Sequence, residues 1–165
     1  MREMSPIELQ TLVSDLEVEL DRMKRLEQEI QQVQSEIHHD SERANLFYEL
    51  QALKLHNFYT GCERIFSLVA SELNGGLPSG FDWHKRLLQR MSLEYADRPP
   101  LLKKETARQL EEFLGFRHVV RNVYGFELDT ERVQRLVDRY FVTWQQFEAD
   151  VRAFMQWLLL LADQI

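Results

Sequence analysis

The stretch SPIELQTLVSDLEVELDRMKRLEQEIQQVQSEI, residues 5–37, decides the fold. Ser5 supplies an N-cap oxygen, Pro6 fits the first helical position, and Glu8 stands three residues after the cap, so a helix begins here. From that start Leu9, Leu16, Met23, Ile30 and Ile37 recur every seven residues, joined by Leu12, Val13, Leu20, Leu26 and Val33. Charged and amide side chains fill the other faces. The pattern predicts one amphipathic helix of roughly 33 residues, about 50 Å long at 1.5 Å per residue, whose apolar stripe needs other helices to cover it.

The rest of the chain is punctuated in the same way. His38-His39-Asp40-Ser41 breaks the first helix, and Asp40 or Ser41 can cap a second that runs to about Leu73, antiparallel to the first. Asn74-Gly75-Gly76-Leu77-Pro78-Ser79-Gly80 is a loop. A shorter helix is predicted from about Asp82 to Tyr95, stopped by Ala96-Asp97-Arg98-Pro99-Pro100. A fourth runs from about Leu101 to Tyr124 and ends at Gly125. Asp129 or Thr130 caps the last, along which Val133, Leu136, Val137, Tyr140, Phe141, Trp144 and Phe147 set an apolar, aromatic stripe. No strand, repeat or linker is visible. The expected architecture is all-α, an up-and-down bundle of four main helices plus one short helix, forming one domain over residues 1–165.

Composition bounds the function. The chain has 165 residues, 44% of them hydrophobic, with six Gly and four Pro, which suits long helices around a real core. A net charge of −7 and a pI near 5.3 argue against a protein that holds nucleic acid by general attraction, so any RNA contact must be local. Cys62 is the single cysteine, which excludes an internal disulfide and a multi-cysteine metal site. His38 and His39 point ~100° apart on a helix and have no third ligand at suitable spacing, so no metal is expected. His56 and His84 carry no partner signal. No leader opens the chain and Trp157 to Ala162 is too short to span a membrane, so the expectation is a soluble, cytoplasmic protein without a cofactor.

One segment looks built for chemistry: Phe116-Arg117-His118-Val119-Val120-Arg121-Asn122-Val123-Tyr124-Gly125-Phe126. On a helix Arg117, Arg121 and Tyr124 share one stripe, and His118 and Asn122 share the next. Guanidinium forks grip phosphate and an imidazole can carry a proton at neutral pH, so the group could bind and cleave a phosphodiester, with Arg117 and Arg121 holding the phosphate. Read without function, the same arginines are surface groups paired with Glu111, Glu112 or Glu127.

The segment resembles the signature of the HEPN superfamily, and specifically of HepT-like toxins, in which an arginine, often followed by Asn, precedes a histidine and then a tyrosine. Arg117 and Tyr124 match; the histidine's place is taken by Asn122 and that of the Asn by His118. Phe116, Gly125 and the turn Glu127-Leu128-Asp129 also fit. The resemblance implies a homodimer that joins two such motifs, and metal-independent RNA cleavage by 2′-hydroxyl attack, with Arg117, His118 and Asn122 as the candidate catalytic residues. Asn cannot move a proton, so Asn122 in the histidine's place implies a loss of roughly 10²–10⁴ in rate unless His118 takes over. The resemblance further implies a toxin–antitoxin module whose partner, a minimal nucleotidyltransferase, adenylylates Tyr124. Two alternatives are a non-catalytic nucleotide-binding or docking subunit of that nucleotidyltransferase, and a structural helical domain.

Overall fold

In the computed structural model, which describes the backbone of residues 3–122 and 127–165 and the side chains of these except 121 and 122, five α-helices follow one another. They are α1 (Pro6–His39), α2 (Ala44–Leu73), α3 (Trp83–Met91), α4 (Lys104–Asn122) and α5 (Thr130–Gln164), with a single 3₁₀ turn, Ser41–Arg43, between the first two. Among the described residues there is no strand beyond one isolated bridge between Tyr95 and Arg98. The all-α bundle predicted from periodicity is what forms.

The caps of the first and last helices act as the sequence implies, whereas Asp40, expected with Ser41 to cap the second helix, caps the 3₁₀ turn before it and leaves α2 to begin at Ala44 without a side-chain cap. Ser5 Oγ accepts from the Glu8 N–H while the Glu8 carboxylate accepts from the Ser5 N–H, a complete capping box with Pro6 behind it. Asp40 accepts from the Arg43 N–H and so caps the 3₁₀ turn, and Asp129 accepts from the N–H groups of Glu131 and Arg132 at the start of α5.

Cross-helix pairs give the directions. Gln51 with Ile30, Lys54 with Glu29 and Gly61 against Met23 have nearly constant number sums, so α1 and α2 are antiparallel. Glu27 with Trp144 and Glu17 with Arg152 make α1 and α5 antiparallel. Glu112 with Arg139 and Lys103 with Asp150 do the same for α4 and α5. The result is up-down-up-down, with α3 laid across the connection between α2 and α4. Leu9, Leu12, Leu16 and Leu20 of α1 are fully buried together with Phe58 and Phe66 of α2, Phe113 and Phe116 of α4 and Tyr140 and Phe147 of α5. Phe58 meets Phe113, Tyr140 and Phe147 edge-on at centroid distances of 5.1, 5.0 and 6.4 Å, the packing aromatic quadrupoles prefer.

Two predicted boundaries are corrected. The third helix stops at Met91, not Tyr95, because the buried Arg98 takes the carbonyls that would continue it. Its guanidinium donates to the carbonyl oxygens of Arg90 (3.3 Å), Leu93 (3.4 Å) and Pro99 (2.9 Å) and to Asn74 Oδ1 (2.8 Å). The fourth helix starts at Lys104, not Leu101. Leu101 and Leu102 are buried in non-helical backbone, the Leu102 N–H is used by Met91 O at 3.0 Å, and the Lys103 N–H is capped by Asp150 of α5 at 2.9 Å. The predicted stop at Gly125 lies outside the described residues.

Arg98 therefore ties the end of α2, the end of α3 and the approach to α4 through one side chain that is 1% exposed. Burial lowers its pKa from the ordinary guanidinium value. Arg98→Ala strands several buried acceptors and is expected to cost about 3 kcal/mol, a Tm roughly 6–12 °C lower, with little change in helical circular dichroism before the transition. A melt that matches the parent's would remove Arg98 from this role.

Candidate active site

Buried charge marks the place. Along α2 the face Phe58, Tyr59, Cys62, Ile65 and Phe66 is buried, and Glu63 sits within it, one turn after Tyr59 and 7% exposed. A carboxylate there requires a partner. Arg117 of α4 provides it: Arg117 Nη1 lies 2.9 Å from Glu63 Oε1, with the two side chains 8% and 9% exposed. The second carboxylate oxygen, Oε2, meets His84 Nδ1 in a very short contact. Arg117 Nη1 is also 2.7 Å from His84 Nδ1 and 3.3 Å from Nε2. A carboxylate only accepts, so the Glu63 contact calls for a proton on His84 Nδ1, and Nε2 is the ring nitrogen that Glu63 does not hold.

The loop before α3 delivers His84. The N–H groups of Asn74 and Gly76 both return to Ala70 O at 3.0 Å, closing α2, and Gly75 adopts φ +80°, a left-handed value that suits glycine. The chain then re-enters as α3 with Trp83 and His84 in its first turn, above Glu63. The two rings stack at a centroid distance of 3.6 Å, which fixes the imidazole plane. Beside them a groove of about 430 Å³ runs along α2, lined by Thr60, Glu63, Arg64, Ser67 and Trp83 among others.

The candidate residues read from the signature divide as follows. Arg117 is in the cluster, but as the buried partner of Glu63 on α2 rather than as a surface group paired with Glu111, Glu112 or Glu127. His118 is exposed, and its ring stands edge-on to His84 at 6.5 Å between centroids. The side chains of Arg121 and Asn122, and Tyr124 altogether, lie outside the described residues. The structure thus brings Arg117 and His118 together with Glu63 and His84, two residues the sequence reading passed over. For Glu63 a signal existed, a charge at the i+4 position of an apolar stripe that continues to Phe66. For His84 there was none, because nothing in its neighbours names a partner on α2.

Two neighbours are held inert. Burial, with the Glu63 charge adding to it, pushes the Tyr59 phenol well above its ordinary pKa, and burial likewise raises the Cys62 thiol. Both groups therefore keep their protons near neutral pH and take no part in proton transfer. Among the described residues no set of His, Cys, Asp and Glu side chains is arranged to hold a metal ion, and no helix is long and apolar enough to cross a membrane.

The Glu63–Arg117 pair is too buried to be dispensable singly. Glu63→Leu alone is expected to cost about 3–5 kcal/mol by leaving a guanidinium uncompensated, whereas the double variant Glu63→Leu/Arg117→Met should recover most of that stability. Denaturant unfolding of the four proteins of the cycle measures it; a near-zero coupling energy would rule out the pairing.

Against known proteins, one family model matches the chain, that of the "HepT-like protein" family, over residues 50–158. The match takes in most of α2, all of α3 and α4, and most of α5, and so includes Glu63, His84, Arg117 and His118. No curated protein and no solved structure matches.

Proposed function

We propose, from the premise that this chain belongs to the HepT-like protein family, that it is an RNA-cleaving toxin component of the HEPN type whose chemistry is run by imidazoles rather than by a metal ion. The observation that supports this most is the pair of histidine rings at 6.5 Å, one exposed and one anchored by a buried carboxylate. RNA cleavage by its own 2′-hydroxyl needs a base to take that proton and an acid to protonate the departing 5′-oxygen. Both are proton transfers an imidazole performs near neutral pH. In this reading His118 is the solvent-facing proton carrier at the scissile phosphate. His84, oriented by Glu63 and stacked on Trp83, supplies the second, its Nε2 being the atom free of the carboxylate. The bond broken is P–O5′, the bond formed is P–O2′, and a 2′,3′-cyclic phosphate remains on the upstream fragment.

Arg117 then has a role different from the one its place in the signature implies. Its Nη1 is spent on Glu63 and His84, so it holds the histidine in place and lends positive potential to the phosphate site from within. Direct phosphate contact falls to Arg121 and to a second copy of the chain, if the motifs of two protomers meet. Asn122 would position a ribose hydroxyl or phosphate oxygen, and Tyr124 would be the acceptor for adenylylation by a nucleotidyltransferase antitoxin in the same cytoplasm. An AMP group there would occupy the phosphate site and exclude RNA.

A second reading is favoured by one specific feature, the Asn122 in the place where the signature carries its histidine. It makes the chain a non-catalytic subunit that binds nucleotide, or docks on a nucleotidyltransferase, through the same site.

Arg117→Ala alone cannot separate these readings, because it also breaks a buried pair. The discriminating experiment is cleavage of end-labelled RNA in EDTA by the parent, His118→Ala and His84→Asn proteins, the asparagine amide keeping a donor for Glu63, with the melting curve of each recorded. The first reading expects cleavage by the parent, a cyclic phosphate on the product, and losses of roughly 10²–10⁴ in each variant. An inert parent that still binds RNA or nucleotide would establish the second.

A further inference from the structure

On the opposite side of α4 from Arg117, the seam between α4 and α5 opens into a groove of about 610 Å³ that the site above does not use. Four arginines line it, Arg108 from α4 and Arg132, Arg135 and Arg139 from α5, against two carboxylates, Glu111 and Glu112. In a chain of net charge −7 this is a local reversal of sign. The bookkeeping of pairs sharpens it: Arg139 is paired with Glu112, and Arg132 lies over the Phe116 ring at 5.7 Å, while Arg108 and Arg135 are exposed and have no acidic partner among the described residues. Gly115 forms the floor, where an added Cβ would come within 3.9 Å of Arg132 Nη2.

The spacing has a direction. Arg132, Arg135 and Arg139 fall at i, i+3 and i+7 on one face of α5, covering about 10 Å of its length, and Arg108, Glu111, Glu112 and Gly115 repeat the pattern on α4. The α4 stripe continues through Gly115 to His118, which stands at i+3 from it. The groove therefore leads to the exposed histidine. Past Arg139 it runs into a second hollow of about 410 Å³ along the same seam, bounded by Gln109, Asp138, Val142 and Thr143. Among the described residues no aromatic ring lines either hollow, so no described side chain there would stack a base; the arginines and Gln109 offer the charge and amide that a phosphodiester backbone takes.

We propose that the α4–α5 seam is a binding track for the backbone phosphates of single-stranded RNA, delivering the scissile linkage to His118. The proposal rests on the RNA-cleaving reading above and extends it by naming where the remainder of the substrate lies. Arg108 and Arg135, being uncommitted, make the net contribution; Arg139 must first be released from Glu112.

The test is fluorescence anisotropy of a labelled 2′-O-methyl RNA, which lacks the attacking hydroxyl and so survives binding, titrated over a salt series with the parent and the Arg108→Gln/Arg135→Gln double variant. Both positions are exposed, so the variant should melt like the parent. Removing two phosphate contacts is expected to weaken binding at least tenfold at low salt and to lower the slope of log K against log salt by about 1.4, at ~0.7 per contact on a single strand. An Arg108→Lys/Arg135→Lys protein should keep the parent's slope. If the parent binds the analogue and cleaves ordinary RNA while the Gln variant binds with unchanged affinity and slope, the track is overturned and the RNA reading stands. Absence of RNA binding by the parent, or binding of a nucleoside triphosphate alone, would overturn both.

Discussion

A carboxylate and a guanidinium removed from water fix one another's positions more tightly than any apolar contact can, because neither tolerates the loss of the other. Glu63 and Arg117 do this between the middle of α2 and the last turns of α4. Leucines and phenylalanines can repack against several neighbours at modest cost, so the apolar stripes alone would permit α4 to slide or rotate relative to α2. The ion pair removes that freedom. With Arg117 held inward, His118, one residue on and ~100° round the helix, is carried to the surface, and the groove-lining stripe of α4 is turned toward α5.

The same carboxylate selects the position of α3. Glu63 has two oxygens, and Arg117 engages only one; the other is met by His84, which is why so short a helix after a glycine-rich loop can be anchored. Its second anchor is Arg98, whose donors reach back to Arg90 and Leu93 and across to Asn74. Both ends of α3 are thus tied by buried polar groups, while Leu87, Leu88 and Met91 supply the apolar contact between them. Arg117 Nε and Asn74 Nδ2 are buried without a partner among the described residues, but the bonds to Glu63, His84 and the carbonyls around Arg98 hold both ends of the helix, which is what an imidazole needs if one of its two nitrogens is to be held in place.

How much of this could be read from the chain follows from the range over which each interaction acts. The caps at Ser5, Asp40 and Asp129 and the seven-residue recurrence from Leu9 to Ile37 are local, since their physics is complete within one or two turns, and they were legible. Arg117 and His118 were legible as a concentration of polar groups in an apolar helix, and their family signature shares that local character. The start of α4 was misplaced because its deciding pair, Lys103 with Asp150, is 47 residues apart, and the end of α3 because the Arg98 that takes the Arg90 and Leu93 carbonyls is itself held by Asn74, 24 residues away. His84 was missed for the same reason: its partner lies 21 residues away on another helix. The arginine groove is the extreme case. Arg108 and Arg139 come from different helices, and each is an ordinary exposed residue of its own helix.

On the RNA-cleaving reading proposed above, an acidic protein must keep its positive potential close to the ligand, since at physiological salt the charge beyond ~8 Å is largely screened. The two cationic regions here meet that condition by opposite means. At Arg117 the charge is buried and largely spent on Glu63, so it gives orientation to His84 and little attraction. At Arg108 and Arg135 the charge is exposed and has no acidic partner among the described residues, so it gives attraction and no fixed geometry. On the proposed reading this division leaves His118, three residues past the Gly115 floor of the groove and one past the buried Arg117, as the residue reached by whatever the groove holds and positioned by whatever the buried pair fixes.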